Sequence, residues 1–336
     1  MTRAFAALFV AGLMCAASGA ALAANCAAPH PVGYRVLALD GGRKVAVWYP
    51  ADGTEQPFAY SRGNSGLTGS VARDAPPATC PRVPLVLFSH GLGGCALQST
   101  FITEELARHG YVVAAPDHQD AATCGIDGEA LRLQNLRTEQ PLLEPARWTE
   151  ESEIGRLHDL RAAIRRVASD AALARIADTT RVGAVGHSMG GYAVLGMAGG
   201  WPTWRTREVK AVVALSPFVT PFLAHGTLAK LAVPVMYQGA QFDWGMTPNL
   251  EGSRGAYALS PAPKYYARLA GGTHVDWTNL GCLGQPSIAA CVKARPNAAL
   301  INRYAVEFLD RYLKDLPSTL LASEGRGLEA YRHVSK

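Results

Sequence analysis

Arg181-Val182-Gly183-Ala184-Val185-Gly186-His187-Ser188-Met189-Gly190-Gly191-Tyr192 is the stretch that decides the fold. Residues 181–186 read as a short buried strand and residues 192–198 as helix, so Gly186-His187-Ser188-Met189-Gly190 has to turn the chain from one into the other. Side chains flanking the serine in so tight a turn meet neighbouring backbone, which accounts for the glycines at 186 and 190. The turn lifts the Ser188 hydroxyl above the sheet, at the positive end of the following helix. A bare G-x-S-x-G match is only moderately specific. Set between an apolar strand and a Gly/Ala-rich helix it points to a nucleophilic serine, against the duller alternative of a structural turn carrying an incidental serine.

Outward from that turn, residues 83–89 form an apolar β-rich run ending in His90-Gly91-Leu92-Gly93-Gly94. Helical spacing follows over 101–109, then a second buried-strand pattern over 111–115. A helix is expected over 149–167, with Ile154, Leu157, Leu160, Ala163, Ile164 and Val167 on one stripe. Further strands are expected at 209–215, 233–239 and 265–269, and a closing amphipathic helix at 302–313. This alternation predicts an α/β fold, with a mostly parallel central sheet and helices on both faces. Residues 32–40 and 44–50 read as an opening hairpin around Asp40-Gly41-Gly42. The Gly-, Pro- and Ser-rich stretch 51–81 reads as a surface excursion, 121–147 as a lid or side insertion, and the tail beyond Pro317 as loosely held.

The 336-residue chain opens as a signal peptide would: Arg3, an apolar run over 4–20, and small residues at Ala21-Leu22-Ala23. One catalytic domain is therefore expected over 24–336, with insertions near 51–82 and 120–148, behind a leader at 1–23. The run is too short and Ala-rich to favour an uncleaved membrane anchor, and Met14 before Cys15 does not suit a lipidated cysteine. The mature chain is expected to be secreted or periplasmic. Beyond Cys15 in the leader, Cys26, Cys80, Cys95, Cys124, Cys282 and Cys291 remain, and an even set in an exported chain favours disulfides. Proximity suggests Cys282 with Cys291; elimination and neighbouring segments of the expected fold suggest Cys95 with Cys124 and Cys26 with Cys80. No C-x-x-C pair or histidine cluster calls for a metal. The net charge of +5 is mild and forms no basic block, so nucleic acid is not an implied partner.

A serine alcohol needs a base, and the glycine-rich loop Ala270-Gly271-Gly272-Thr273-His274 brings His274 back to the strand ends. His90, His118 and His187 are read as structural, with His187 expected to project away from the turn. The imidazole needs a carboxylate on its far nitrogen, and in the order serine, acid, histidine the residue just past strand 233–239 is Asp243. Asp276 and Glu251 are the rivals: the first is expected to shape the histidine loop, the second to lie on a solvated helix. Two backbone N–H groups must face the developing oxyanion, and Leu92 and Met189 are placed to supply them. Phe218, Trp244 and Trp277 lie near these loops and are read either as walls of an apolar pocket or as core.

Ser89-His90-Gly91-Leu92-Gly93, Gly186-His187-Ser188-Met189-Gly190-Gly191-Tyr192 and Gly271-Gly272-Thr273-His274 together resemble the α/β-hydrolase superfamily over residues 32–315. More closely, the chain is similar to dienelactone-hydrolase-like and platelet-activating-factor-acetylhydrolase-like enzymes. It departs from the acetylhydrolase pattern, where the acid follows the strand after the nucleophile helix, because that strand here ends in Ser216-Pro217-Phe218. Asp243, one strand later, then resembles the arrangement of most α/β-hydrolases and of cutinase-like polyester hydrolases, and a phospholipid substrate loses support. Ser188 stands where true dienelactone hydrolases use cysteine. The resemblance implies a cofactor-free serine esterase forming an acyl-enzyme, with a small-molecule or polymeric ester as its partner. An amidase or peptidase on the same residues, and a secreted binding protein on a retired hydrolase fold, are the alternatives.

Overall fold

The computed structural model describes residues 28–60, 67–126, 131–323 and 325–336. The expected leader at 1–23 and Cys26 lie outside them. Their strands form a single sheet: β1 (Val32–Ala38), β2 (Lys44–Pro50), β3 (Gln56–Ala59), β4 (Thr68–Arg73), β5 (Val83–Ser89), β6 (Val112–Pro116), β7 (Ala177–His187), β8 (Val209–Leu215), β9 (Val235–Ala240), β10 (Lys264–Leu269) and β11 (Ala330–Val334). Across the sheet they run β11-β10-β9-β8-β7-β5-β6-β2-β1-β4-β3. Every neighbouring pair from β6 to β10 is parallel, whereas β2 joins β6, β1 joins β2 and β11 joins β10 in antiparallel fashion.

Strands covered on both faces have no polar side, which is why β5, β6 and β8 read as unbroken apolar runs. Their side chains still alternate. Leu85 and Leu87 enter a core with Leu157, Leu160 and Tyr192, whereas Val86 and Phe88 enter a core with Phe101, Ile301 and Phe308. Helices Ile154–Ser169 and Met189–Leu195 thus cover one face, and Thr100–Arg108 and Pro296–Leu313 the other. Of the stripe predicted on the 154–169 helix, Leu157, Leu160, Ala163 and Val167 are buried, and so are Arg156 and Asp159 beside them. The helix starts at Ile154 because Glu153 takes a left-handed conformation (φ 59°) that a continuous helix does not allow.

Two stretches differ from expectation. The excursion at 51–81 contributes β3 and β4, and β4 lengthens the sheet beyond β1 with Val71 and Leu67 in the core. Pro57 is tolerated there because β3 is the edge strand. The tail is likewise anchored: Leu320 and Leu321 are buried, Glu329 N–H donates to the Arg268 carbonyl at 2.9 Å, and β11 pairs with β10 through residues whose own pattern is too short to announce a strand. The segment after β6 has, among the described residues, no regular element beyond two 3-10 turns at Leu133–Asn135 and Pro145–Arg147. Backbone bonds from Ala122 and Thr123 to the Gly93 carbonyl tie it to the loop after β5.

Candidate active site

The parallel strands deliver their C-terminal ends to one edge of the sheet, and Ser188, His274, Asp243, Leu92 and Met189 of the predicted residues meet there. Ser188 joins β7 to its helix at φ 54°, ψ −114°, a conformation that costs a non-glycine residue about 1–3 kcal/mol and persists only where the surroundings impose it. Here Ser188 N–H donates to the Leu215 carbonyl and the Ser188 carbonyl accepts from Phe218 N–H, both at 3.0 Å. The turn is closed so tightly that a Cβ on Gly190 runs into the Ser89 carbonyl, and one on Gly186 into the Gly190 carbonyl. Glycine is therefore required at both positions for steric reasons.

His274 lies in the loop after β10, with its side chain 35% exposed. Its Nδ1 sits 3.2 Å from Asp243 Oδ1 and 2.9 Å from Ser216 Oγ, and the Ser216 hydroxyl donates to Asp243 Oδ2. Nδ1 therefore carries the proton, and Nε2 is left without a partner among the described residues. Asp243, 3% exposed, lies just past β9, and its loop is clamped to the histidine loop by Phe242 N–H on the Gly272 carbonyl at 2.8 Å. The rival acids are engaged elsewhere. Asp276 accepts from Thr273 N–H and Thr273 Oγ1 within its own loop, and Glu251 accepts from Tyr266 and Arg268.

Ser188 and His274 line one cleft of about 460 Å³ with Leu92, Gln98, Val275 and Leu280. Among the described residues, its lining carries no ionisable side chain apart from His187 and His274. Around the loop after β5, Gly91 N–H donates to Gln98 Oε1 and Gly93 N–H to Asp120 Oδ2, both at 3.0 Å, and Gly94 N–H to the Gly91 carbonyl. Among the described residues no acceptor takes Leu92 N–H, nor that of Met189, which opens its helix.

His187 differs from expectation: its ring lines the cleft. Nε2 donates to the His274 carbonyl at 3.0 Å, and Nδ1 accepts from Gln98 Nε2 at 3.1 Å. Burial, with the neighbouring His274, holds its proton affinity well below the ordinary histidine value, so it is a neutral spacer. Gln98 thus links the Gly91 peptide to the backbone of His274. Neither Gln98 nor Ser216 was expected at the site. The signal for Ser216 is its position at the end of β8, where a hydroxyl instead of a carboxylate meets the histidine.

The expected pocket aromatics stand back from the cleft. Phe218 packs against Trp148 at 5.0 Å in the core. Trp277 is fully buried, donating to Gln238 Oε1 at 2.9 Å and stacking behind His187. Trp244 is 78% exposed and packs edge-on against Phe242. Proximity in sequence to the site loops placed their backbones near it, not their side chains. Two expected disulfides are present, Cys95–Cys124 and Cys282–Cys291. Cys80 is disulfide-bonded as well, and Cys26, its expected partner, lies outside the described residues. Among the described residues no group of three or more His, Cys, Asp or Glu is placed to hold a metal ion, and no helix is long and apolar enough to cross a membrane.

With this geometry in view, residues 43–143 match the model of a family described as platelet-activating factor acetylhydrolase, isoform II. The platelet-activating factor acetylhydrolase of Cavia porcellus is 23% identical over 237 residues, 59% of this chain and 52% of that protein. Cutinase 2 of Thermobifida cellulosilytica is 28% identical over 233 residues, 68% of either chain. The chain thus spans about half the length of the first relative and about two thirds of the second. A ferulic acid esterase from Streptomyces cinnamoneus superposes with a TM-score of 0.67 at 22% identity, over 91% of this chain and 96% of that one. The fold is the α/β-hydrolase fold, and the chain is similar to ester hydrolases in each comparison.

Proposed function

We propose that the chain is a serine hydrolase of carboxylic esters. The observation that carries this reading is the arrangement at the sheet edge: an imidazole bonded through Nδ1 to a buried carboxylate shares a cleft with a serine on a strained turn and with Leu92, whose N–H is uncommitted, and the uncommitted N–H of Met189 directly follows that serine. Ser188 Oγ attacks the carbonyl carbon while His274 Nε2 takes its proton. The carbonyl oxygen becomes an anion facing the N–H groups of Leu92 and Met189, which were oriented before the reaction and need no rearrangement to receive it. The intermediate collapses with cleavage of the ester C–O bond, and His274 returns the proton to the leaving alcohol. A water deprotonated by His274 then attacks the acyl-serine and releases the acid. Asp243 keeps Nδ1 protonated and stabilises the imidazolium that forms twice per turnover.

The described lining favours an uncharged substrate around the scissile bond, since apart from His187 and His274 none of its residues offers a basic or acidic side chain to pair with a phosphate or an ammonium. Val275 and Leu280, both exposed, provide apolar contact at the mouth. Two disulfides beside the cleft favour an oxidising compartment, so the enzyme is proposed to act outside the cytoplasm, on a small-molecule or polymeric ester. The test is hydrolysis of p-nitrophenyl esters from acetate to long acyl chains and of an aromatic polyester film, with Ser188→Ala alongside. Activity lost in that variant and covalent labelling of Ser188 by a fluorophosphonate are expected. Full activity in Ser188→Ala overturns the reading, and faster cleavage of a matched anilide than of the ester reassigns it to amide bonds.

A further inference from the structure

Behind the loop after β5 lies a buried ion pair that takes no part in the proposed acyl transfer. Arg156, 2% exposed in its side chain, comes from the helix Ile154–Ser169; its Nη2 lies 2.6 Å from Asp120 Oδ2. The same guanidinium donates to the His90 carbonyl at 2.7 Å and reaches the Gly91 carbonyl at 3.4 Å and Ser89 Oγ at 3.4 Å. Asp120 Oδ2 in turn accepts Gly93 N–H at 3.0 Å. Burying these two charges is costly unless they are paired and bonded to something fixed, and here each is fixed to the backbone of one loop.

A peptide group is planar, so its C=O and the next residue's N–H point in opposite directions. With the His90 carbonyl drawn to Arg156, Gly91 N–H is turned the other way, where Gln98 receives it. With the Gly91 carbonyl held by His90 Nδ1 at 2.7 Å, by Gly94 N–H at 3.0 Å and by Arg156 at longer range, Leu92 N–H faces away from the interior. Leu92 lines the cleft, and its N–H is the member of the Gly91–Gly94 run that no protein acceptor takes among the described residues. Asp120 fixes the next peptide by taking Gly93 N–H. The ion pair thus grips the loop on both sides of Leu92.

Resting on the ester-hydrolase reading, we infer that Arg156 and Asp120 are positioning residues for the oxyanion site, aiming Leu92 N–H at the cleft without touching the substrate. A donor aimed in advance matters only once charge appears on the carbonyl oxygen, so the effect belongs in kcat and not in KM. In the full-length protein, Arg156→Met is expected to lower kcat for a p-nitrophenyl ester about 10- to 100-fold with KM within about twofold. Affinity for a phenylboronic acid, which forms a tetrahedral adduct on serine, should fall in parallel. Arg156→Lys, which keeps the charge but not the fork, should lie between, and Asp120→Asn, which keeps an acceptor for Gly93, should lose about 10-fold. If Arg156→Met does not fold, the latter two variants decide. Unchanged kcat in folded variants, or a loss confined to KM, overturns the inference alone, provided fluorophosphonate still labels Ser188 in the wild type. No labelling of the wild type overturns the ester-hydrolase reading and this inference with it.

Discussion

Ser188, His274 and Asp243 stand at the edge of the sheet, while Ser89, His118 and Asp159 lie beneath the loop after β5: the same residue types, with the histidine on an aspartate in both and a serine–histidine hydrogen bond in the interior set. Ser89 Oγ is 2.9 Å from His118 Nε2, and His118 Nδ1 is 3.0 Å from Asp159 Oδ2, against 3.2 Å between His274 and Asp243. By distance the interior set is the tighter of the two. Yet its serine, histidine and aspartate are 0%, 3% and 2% exposed, so no ester reaches them. Burial and the adjacent Arg156 cation depress the proton affinity of His118, and the ion pair with Arg43 at 2.7 Å draws on Asp159. An imidazole beside a buried guanidinium is a poor place to form an imidazolium. Three residue types in sequence therefore do not make a hydrolytic site; access, donors for the oxyanion and freedom to hold a second positive charge do.

The sharpest way to break this comparison is to truncate both serines. Ser188→Ala is expected to lower kcat by about 10⁴-fold or more with its melting temperature nearly unchanged, because only the reaction uses that hydroxyl. Ser89→Ala is expected to do the reverse: ester hydrolysis within a few-fold of wild type, and a loss of about 1–3 kcal/mol in urea unfolding, because His118 Nε2 is left buried without its donor. Activity surviving in Ser188→Ala and lost in a folded Ser89→Ala would exchange the two sets. Asp243→Asn comes next, with kcat expected to drop about 10³- to 10⁴-fold as the amide ceases to fix the His274 tautomer.

A buried carboxyl on the other face of the sheet extends the contrast to pH. Glu104, 4% exposed, accepts the Tyr60 hydroxyl, which itself accepts from Trp48 Nε1 at 2.8 Å. Burial raises the Glu104 pKa from 4.5 to about 7. The folded chain thus keeps a proton that the unfolded chain releases. This contribution is complete below pH 4.5, declines between 4.5 and 7 and is gone above 7, on the order of 3 kcal/mol in all. Glu104→Gln, which keeps the acceptor for Tyr60 and removes the titration, should flatten that slope and be relatively more stable at pH 8 than at pH 5. Denaturant midpoints that follow the same pH course in both proteins would mean that Glu104 does not hold its proton. Ester hydrolysis should be indifferent, which separates this interior group from the rim.

The turn at Ser188 was legible because its geometry needs contiguous residues, with glycines at 186 and 190, and the sheet because strands buried on both faces announce themselves as apolar runs. The positions of His274 and Asp243 past β10 and β9 followed from chain order along those strands. What stayed hidden depends on partners far apart in sequence: Ser216 meets His274 across 58 residues, Arg156 meets His90 across 66, and Gln98 meets His187 across 89. No local pattern marks such pairs. β3, β4 and β11 escaped for a related reason, since short strands owe their stability to the neighbour they pair with and not to their own composition. The aromatic residues were misleading in a third way, because sequence gives the position of Phe218 and Trp277 near the site but not the core into which their side chains turn.

The smallest expected effect tests whether Ser216 belongs to the rim set or only adjoins it. Its hydroxyl accepts from His274 Nδ1 and donates to Asp243, at a left-handed φ of 42° that carries the same Cβ penalty for serine and alanine, so Ser216→Ala adds little new backbone strain. It leaves Asp243 Oδ1, at 3.2 Å, as the remaining acceptor for Nδ1. A hydrogen bond of about 1 kcal/mol lost from imidazolium stabilisation corresponds to a fall in kcat of roughly 5-fold, with KM little changed. Because Ser216 and Asp243 bond to the same imidazole nitrogen, losses that run through that ring should not add. In an Asp243→Asn background, Ser216→Ala is expected to cost less than about twofold, since the asparagine has already released the ring from its orientation. Full additivity of the two changes in a double-mutant cycle would place Ser216 outside the relay, leaving its contacts with His274 and Asp243 without catalytic consequence.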